Sequence, residues 1–440
     1  MDKYKNLKIL ILGGAKSGLA VAKIIAKNND VTLTDMKEQK EEDKKILDEL
    51  GVKVVITQNQ IDLIDSSWDL IIKNPAIMYV SPIMEKIRSL NIRVENEMEV
   101  GYHFLPKKIK IIGVTGSNGK TTTVTMINDL LKLSGVKTVL CGNIGTPLCD
   151  MIKDIKEDTT LVMEISDHQL LDFHDFKTNI SVLTNISPTH LDYHGTYEHY
   201  KNTKRNIFNN HTKDDLAITN YTNEDAMEVS KNIPSKKYYF NGKDACLKDD
   251  YIYIHDKQIL NIKDIKLVGN HNYENIMAAL LVLYEFDPEL KVASDYFKKF
   301  NGVEHRLEYV RTLNGVIYYN DSKATNPVAT IQALKTFKEP IRLILGGMER
   351  YQDFNDLNDY MKGVTKIYAI GTVTDRVYDY ALSQKIDCTK CTTLDKALES
   401  IKKDVNKGDV VLLSTASSSQ DQYARFEDRG DEFKRIVNSY

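Results

Sequence analysis

Cysteine is scarce in this chain: five residues among 440, scattered and odd in number. A scaffold of paired disulfides is thereby excluded, and a reducing compartment fits. Cys388 and Cys391 form a lone CxxC pair. A structural zinc centre needs four ligands and no second pair exists. The adjoining CTTL reads as a strand rather than the helix start a redox pair wants, so these thiols are assigned to structure. Long apolar runs are missing too. Residues 276–284 form about the longest, well short of a bilayer span. Residues 9–12 near the N-terminus make too short a core for a secretory signal. The expectation is a cytoplasmic protein with no membrane segment. Nor does one sign of charge dominate: 59 basic against 62 acidic residues give a net charge of -3. That balance lacks the basic face of a dedicated nucleic-acid binder, while leaving room for a local patch that holds an anionic small molecule. There is no tandem repeat and no low-complexity segment. With 42% hydrophobic and 28% charged residues the composition is that of a soluble globular protein, and 440 residues predict two to four domains.

What is present is a glycine-rich loop. Residues 113–123 read GVTGSNGKTTT, after an apolar run at 108–112 (KIKII) and before a helical spacing over 123–133. Strand, glycine loop, lysine and hydroxyl at a helix start make a phosphate cradle, because converging backbone N–H groups and the helix N-terminus favour anionic oxygens. Lys120 is placed to reach β/γ-phosphates and the Thr121 hydroxyl to hold Mg²⁺. Five residues separate Gly113 from Gly119, one more than in the common phosphate loop, so this is a variant.

Around the loop the chain alternates strand and helix. Residues 8–14 (KILILGG) predict a strand entering a glycine turn, followed by a helix over 18–28 and strands at 31–35, 52–57 and 69–73. The pattern restarts at 108 and continues through 160–165 and 179–186. Residues 236–265 alternate and turn often, predicting a small mixed β insertion, and a helix over 273–284 closes the block. A third unit carries strands at 315–319, 341–345, 366–370 and 409–413. Alternation of this kind predicts α/β domains with mostly parallel sheets. Three are expected: 1–98 Rossmann-like, 99–303 a central ATPase domain of the phosphate-loop type, and 304–440 again Rossmann-like.

Several residues sit where parallel strands end, the edge that faces ligand. Glu164 closes an apolar run; opposite a phosphate loop it suits Mg²⁺, and a polar strand end is the alternative. His190 and Asp192 flank Leu191 after the next run, making a second metal position plausible beside an ordinary solvated loop. Lys204, by spacing alone, is a helix-face lysine. Asn272 and Asn275 share one face of a helix start, where amides either read a purine edge or cap the helix. Arg306 lies at a domain junction, where an arginine can reach a phosphate when the domains close; a bare surface arginine is the alternative. Residues 320–326 (NDSKATN) follow a strand, and Asp321, Lys323 and Thr325 suit a ribose and an oxyanion, a plain loop being the alternative. The turn at 13–18 (GGAKSG) is like a dinucleotide fingerprint with Ala15 for the middle glycine; Asp35 stands at ribose-reading distance. A nucleotide-like ligand is expected there, with NAD disfavoured.

In this order TGSNGKT, MEIS-x-x-QL, TNISPTHLDYHG, GNHNYEN, EHR and NDSKATN resemble the Mur ligases, ATP-dependent amide-forming enzymes of peptidoglycan synthesis. NDSKATN with the segment 412–437 (LLSTASSSQDQYARFEDRGDEFKRIV) is similar to the branch that adds D-glutamate. The diaminopimelate-binding signature Asp-Asn-Pro-Arg is absent. The resemblance covers essentially the whole chain. It implies an ATP- and Mg²⁺-dependent ligase acting on UDP-N-acetylmuramoyl-L-alanine and D-glutamate, monomeric, with no nucleic-acid or membrane partner.

It also implies roles. Gly116, Asn118, Gly119, Lys120, Thr121 and Thr122 would hold ATP phosphates, and Asn272, Asn275, Arg306 and Asp321 the rest of the nucleotide. Thr121, Glu164, His190 and a carbamylated Lys204 would hold magnesium. Lys120, His190, Lys204 and Lys323 would be catalytic. Lys16, Ser17, Asp35 and residues 74–76 would bind the UDP end and Asn143 the muramoyl part. Lys323, Thr325, Arg350, Ser419 and Phe426 would surround D-glutamate. Three departures stand out: Asp167-His168 where the family has Ser-Phe, Arg350 where some relatives have lysine, and Gln420 at an often apolar position. A folate-type ligase, a nicotinamide oxidoreductase and an inactive binding homologue are the rival readings.

Overall fold

Short apolar runs, most of them followed by a helix, lay strands side by side in parallel with helices over their faces. In the computed structural model, which describes residues 3–267 and 269–440, this gives three sheets. The first holds β1 (Lys8–Leu12), β2 (Asp30–Asp35), β3 (Lys53–Ile56), β4 (Leu70–Lys73) and β5 (Val94–Glu95). Its order is β3-β2-β1-β4-β5, all parallel. The second holds β6 (Lys110–Thr115), β7 (Thr138–Gly142), β8 (Thr160–Glu164), β9 (Ile180–Leu183), β10 (Leu216–Asn220) and β11 (Lys236–Phe240). It continues with β12 (Ala245–Lys248), β13 (Tyr251–Ile254) and β14 (Lys257–Asn261), in the order β14-β13-β12-β11-β10-β9-β6-β8-β7. The strands from β7 to β11 are parallel, and β12 to β14 add an antiparallel edge. The expected β insertion is thus an extension of the central sheet.

The third sheet comprises β15 (Glu308–Leu313), β16 (Val316–Asn320), β17 (Ile341–Gly346), β18 (Val364–Ile370), β19 (Asp387–Thr392) and β20 (Val410–Leu413). Its order is β15-β16-β20-β17-β18-β19, with only β15 antiparallel. Alternation along each strand fills two separate cores, Leu343, Leu345 and Leu412 on one face and Ile344, Tyr368 and Leu413 on the other. Cys388 and Cys391 lie in β19, and no disulfide forms among the described residues.

The chain divides into two compact units. One holds the chain up to Ile262 with Asn270–Tyr296, and so the first two sheets; the other holds Lys263–Gly269 and Phe297–Tyr440, and so the third. Within the first unit, buried polar bridges join the two sheets. Lys73 at the end of β4 places Nζ 3.1 Å from the Asp172 carboxylate and 3.1 Å from the Tyr193 hydroxyl. Asn96 Nδ2 donates to Gln169 O at 2.6 Å. The expected α/β class with mostly parallel sheets is borne out. Among the described residues no helix is long and apolar enough to cross a membrane.

Candidate functional site

β6 ends at Thr115, and the chain then needs a backbone path that few side chains allow. Gly116 has φ 150° and a Cβ there would strike Thr184 Oγ1; Gly119 has φ 84° and a Cβ would strike Asn275 Oδ1. The loop is held by Thr184 Oγ1 donating to Asn118 O at 2.6 Å and by Ser117 N donating to Asn185 O at 2.9 Å. The helix Lys120–Leu133 begins at the lysine itself, three residues earlier than its apolar spacing predicts. No side chain caps that helix, so its first N–H groups are left for solvent or an anion. Lys120 Nζ folds over the loop, donating to Gly116 O at 2.7 Å and Ser117 O at 3.0 Å. Thr121 and Thr122 are buried behind it.

The neighbouring strand β8 ends on Glu164, 2% exposed. Its Oε1 accepts from Asn143 Nδ2 at 2.8 Å, and its backbone carbonyl accepts from Asn143 N at 2.8 Å. Oε2 is buried with no hydrogen-bond partner. An orphaned carboxylate oxygen is costly unless a cation or water completes it. Glu164 thus fits a hard cation by its oxygen donor and its unmet demand.

Next to it Asp167 gathers one lysine and three histidines. Its carboxylate lies 3.2 Å from Lys204 Nζ, 3.1 Å from His190 Nδ1, 2.8 Å from His194 Nε2 and 3.4 Å from His168 Nε2. Burial by itself would raise the Asp167 pKa; hydrogen bonds from His190 and His194 and the Lys204 charge overcome it and hold the carboxyl well below the usual range. Burial draws the fully buried Lys204 ammonium down, against the pull of Asp167. Lys204 Nζ also meets Gly116 O at 3.2 Å and Thr115 Oγ1 at 3.3 Å. The spacing that reads as a plain helix-face lysine therefore lies on the inward face of Tyr197–Arg205, against the phosphate loop. His190 has φ 52° and stays half-exposed, whereas Asp192 is exposed and joins neither group.

The helix Asn270–Tyr284 places both candidate asparagines inside it, not at its cap. Asn275 is buried, and its Oδ1 accepts from Thr123 Oγ1 at 3.3 Å; Asn272 is half-buried. At the first sheet, Asp35 Oδ2 accepts from Gly14 N at 2.6 Å and Oδ1 from Lys37 N at 3.0 Å. Lys16 is exposed and Ser17 half-buried at the start of the helix Lys16–Ile25, which has no side-chain cap. Asn74 Oδ1 accepts from Ala76 N at 2.9 Å.

In the second unit, Asp321 follows β16 and is buried. Its oxygens accept from Leu307 N at 3.1 Å and Ser414 Oγ at 2.8 Å, and burial pushes it up to about 7. Lys323 Nζ stands 5.9 Å from the centre of the Phe426 ring. Thr325 is half-buried and Ser419 buried, while Arg306 is exposed. Arg350 donates to Gln420 Oε1, so two of the three departures pair with each other.

Some participants escape a reading of sequence. His194 stands four residues after His190, a one-turn spacing that could have flagged it. Arg429 could not have been found: buried, it donates to Ser322 Oγ at 2.9 Å, Ser322 O at 2.8 Å and Ser417 O at 3.2 Å, tying the loop after β16 to the loop after β20.

Comparison with known proteins adds to this geometry. Residues 114–283 match the Mur ligase middle domain and residues 305–417 the Mur ligase glutamate ligase domain. The chain is 37% identical over 444 residues to a UDP-N-acetylmuramoylalanine–D-glutamate ligase of Geobacillus sp. (strain WCH70), covering 99% of this chain and 98% of that protein. It is 37% identical over 437 residues to the enzyme of that name from Staphylococcus epidermidis (ATCC 12228), covering 98% and 96%. Among solved structures, UDP-N-acetylmuramate–alanine ligase from Thermotoga maritima aligns with a TM-score of 0.57 at 19% identity, over 99% of this chain and all of that one. The MurF ligase of the same organism, in complex with ADP, gives 0.55 at 17% identity over 99% and 96%. These two likenesses speak to the fold.

Proposed function

We propose that this chain, which belongs to the Mur ligase family, is an ATP-dependent ligase joining D-glutamate to UDP-N-acetylmuramoyl-L-alanine in peptidoglycan precursor synthesis. The observation that carries this reading is its full-length likeness, at 37% identity, to relatives that bear that name. Domain limits at 98 and 303 fit it, with the UDP end, ATP and D-glutamate taken in that order along the chain.

A carboxylate is a poor electrophile. Transfer of the ATP γ-phosphoryl group to the terminal carboxylate of the alanyl substrate gives an acyl phosphate and ADP. The amine of D-glutamate attacks the acyl carbon, and the tetrahedral intermediate collapses to amide and inorganic phosphate. The protein's work is positioning and charge neutralisation. Loop N–H groups from Gly116 to Thr122, with Asn118 and Gly119 shaping the turn, hold the triphosphate. Lys120 leaves its two carbonyl partners for phosphate oxygens, and Thr121 lies beside it. Asn272 and Asn275 face the adenine, Asn275 keeping its bond to Thr123; Arg306 meets phosphate and Asp321 the ribose. Lys16, Ser17 and Asp35 take the UDP end, and Asn143, already fixed on Glu164, the muramoyl part. Lys323, Thr325, Arg350, Ser419 and Phe426 hold D-glutamate. Glu164, His190 and Thr121 would hold Mg²⁺, with Lys204 joining them if carbamylated; the ion supplies charge neutralisation between crowded phosphate oxygens. The uncommitted Glu164 Oε2 supports that fit.

Phosphate release, measured across L- and D-amino acids with the UDP-linked acceptor, tests the reading. D-Glutamate is expected to drive release and the other amino acids to give background. Equal or greater release with another amino acid would displace D-glutamate as the substrate.

A further inference from the structure

The Asp167–His168–His194 cluster is built from two short elements. Asp167 and His168 open the helical turn Asp167–Leu170, which Ser166 and Gln169 cap reciprocally. His194 ends Leu191–His194. One donor atom from each of Asp167, His168 and His194 lies within 4.8 Å of the other two. Donors around a tetrahedral cation with bonds of about 2.0–2.1 Å are about 3.3 Å apart. Asp167 Oδ2 lies 2.8 Å from His194 Nε2 and 3.4 Å from His168 Nε2, which brackets that edge. His168 Nε2 is buried with no hydrogen-bond partner. His194 is held from behind through its other ring nitrogen, as ligating histidines usually are, and His168 is fixed by ring stacking. His168 stacks on Tyr193 with ring centres 3.7 Å apart, and His194 Nδ1 lies 3.1 Å from His199 Nδ1.

The geometry points to a second cation site here, specific for a borderline transition ion of the Zn²⁺ class. Two imidazole nitrogens and one carboxylate oxygen suit such an ion, whereas Mg²⁺ prefers oxygen donors. Three protein ligands leave a fourth position for water. Neither Glu164 nor Lys204 is a ligand, and the site adjoins the position proposed for magnesium, because His190 Nδ1 lies 3.1 Å from the same Asp167 oxygen. Lys204 Nζ pairs with the other oxygen of Asp167 at 3.2 Å.

Cobalt(II) is the probe. Titrated into the full-length protein with millimolar Mg²⁺ present, Co²⁺ is expected to give visible d–d absorption that saturates at one ion per chain. His168→Phe keeps the stack on Tyr193 and removes one ligand; His194→Gln removes another. Each is expected to raise the Co²⁺ dissociation constant at least about tenfold, the scale of lost support at a metal centre. Melting temperatures are recorded beside each titration, and a variant that does not fold is set aside in favour of the other. The proposal fails if Co²⁺ shows no saturable band, if Mg²⁺ abolishes it, or if the band carries thiolate charge-transfer intensity. It also fails if the folded variants bind as tightly as the parent.

Discussion

At the end of β1 the chain turns through Gly13 and Gly14 and enters a helix at Lys16; at the end of β6 it turns through Gly116 and Gly119 and enters a helix at Lys120. Neither helix has a side-chain cap, so both present unsatisfied N–H groups at the edge of a parallel sheet. The carboxylates beside them differ. Asp35 commits both oxygens to backbone N–H groups of its own turn. Glu164 commits one oxygen to Asn143 and leaves the other without a donor. The acid of the first turn is therefore satisfied within the fold, and the turn offers an anion its backbone, Ser17 and the exposed Lys16. The second holds an unmet carboxylate oxygen, a lysine on the loop and a second buried lysine, Lys204, behind it. A shared strand–turn–helix frame gives two devices because one acid is satisfied and the other is not.

The sharpest test exchanges the two lysines at equivalent helix starts. Lys120→Ala is expected to lower substrate-dependent phosphate release on the order of a hundredfold or more, the scale of one preorganised charge contact. Lys16→Ala should cost about tenfold or less, mostly as a higher KM for the UDP-linked substrate, since an exposed charge is screened. Parallel rate measurements decide it; similar losses in the two variants would erase the distinction between the turns.

Glu164→Gln addresses the acid at the second turn. The amide keeps the shape and can still accept from Asn143, but it loses the charge. Activity is expected to fall on the order of tenfold and to need more Mg²⁺ for half-maximal rate. An unchanged Mg²⁺ dependence would mean that the orphaned oxygen serves something other than a cation.

The asymmetry between the turns was only partly legible in sequence. Glycines, lysine and threonine after an apolar run carry local information, and the parallel strand order follows from alternation, so the fold class and the loop were readable. Which acid would be satisfied was not, because it depends on register: Glu164 pairs with Val114 and Gly142 across β6, β8 and β7 and so arrives beside Asn143. Lys204 is a similar case. By spacing alone it is a plain helix-face lysine, and only tertiary packing turns it onto Thr115 and Gly116. The Asp167 cluster draws on helices 167–170, 191–194 and 197–205, and no single periodicity joins them.

Beneath the first turn lies a third acid. Glu97 lines the small crevice with Gly13, Ser17 and Asn74, and its carboxylate accepts from Cys149 N at 2.6 Å. Burial pushes it up to about 7 against that hydrogen bond. Because the folded pKa exceeds the unfolded one, its favourable contribution is whole below about 4.5 and is lost as pH rises to about 7. A displacement of that size corresponds to about 3 kcal/mol. Glu97→Gln mimics the protonated acid, so it should be more stable than the parent above pH 7 by up to about that amount and match it below pH 4.5. Denaturant unfolding at several pH values measures the difference; parallel pH profiles would exclude Glu97 as the titrating group.

The smallest effect is expected where the comparison began, at Asp35. Replacing it with Asn keeps one acceptor oxygen and turns a donor toward a second N–H, so either Gly14 N or Lys37 N loses its partner. A hydrogen bond to a half-exposed charge is worth about 1 kcal/mol net, which in a unit of this size moves the melting temperature by about 2 °C. Activity should fall in the UDP-linked substrate's KM and leave kcat near the parent value, because the turn relaxes without touching the phosphate loop. Calorimetry and steady-state kinetics on the same preparation separate the two consequences. A fall in kcat with KM unchanged would show that Asp35 acts on the chemistry at the second turn, and the two glycine turns would then have to be read as one coupled device.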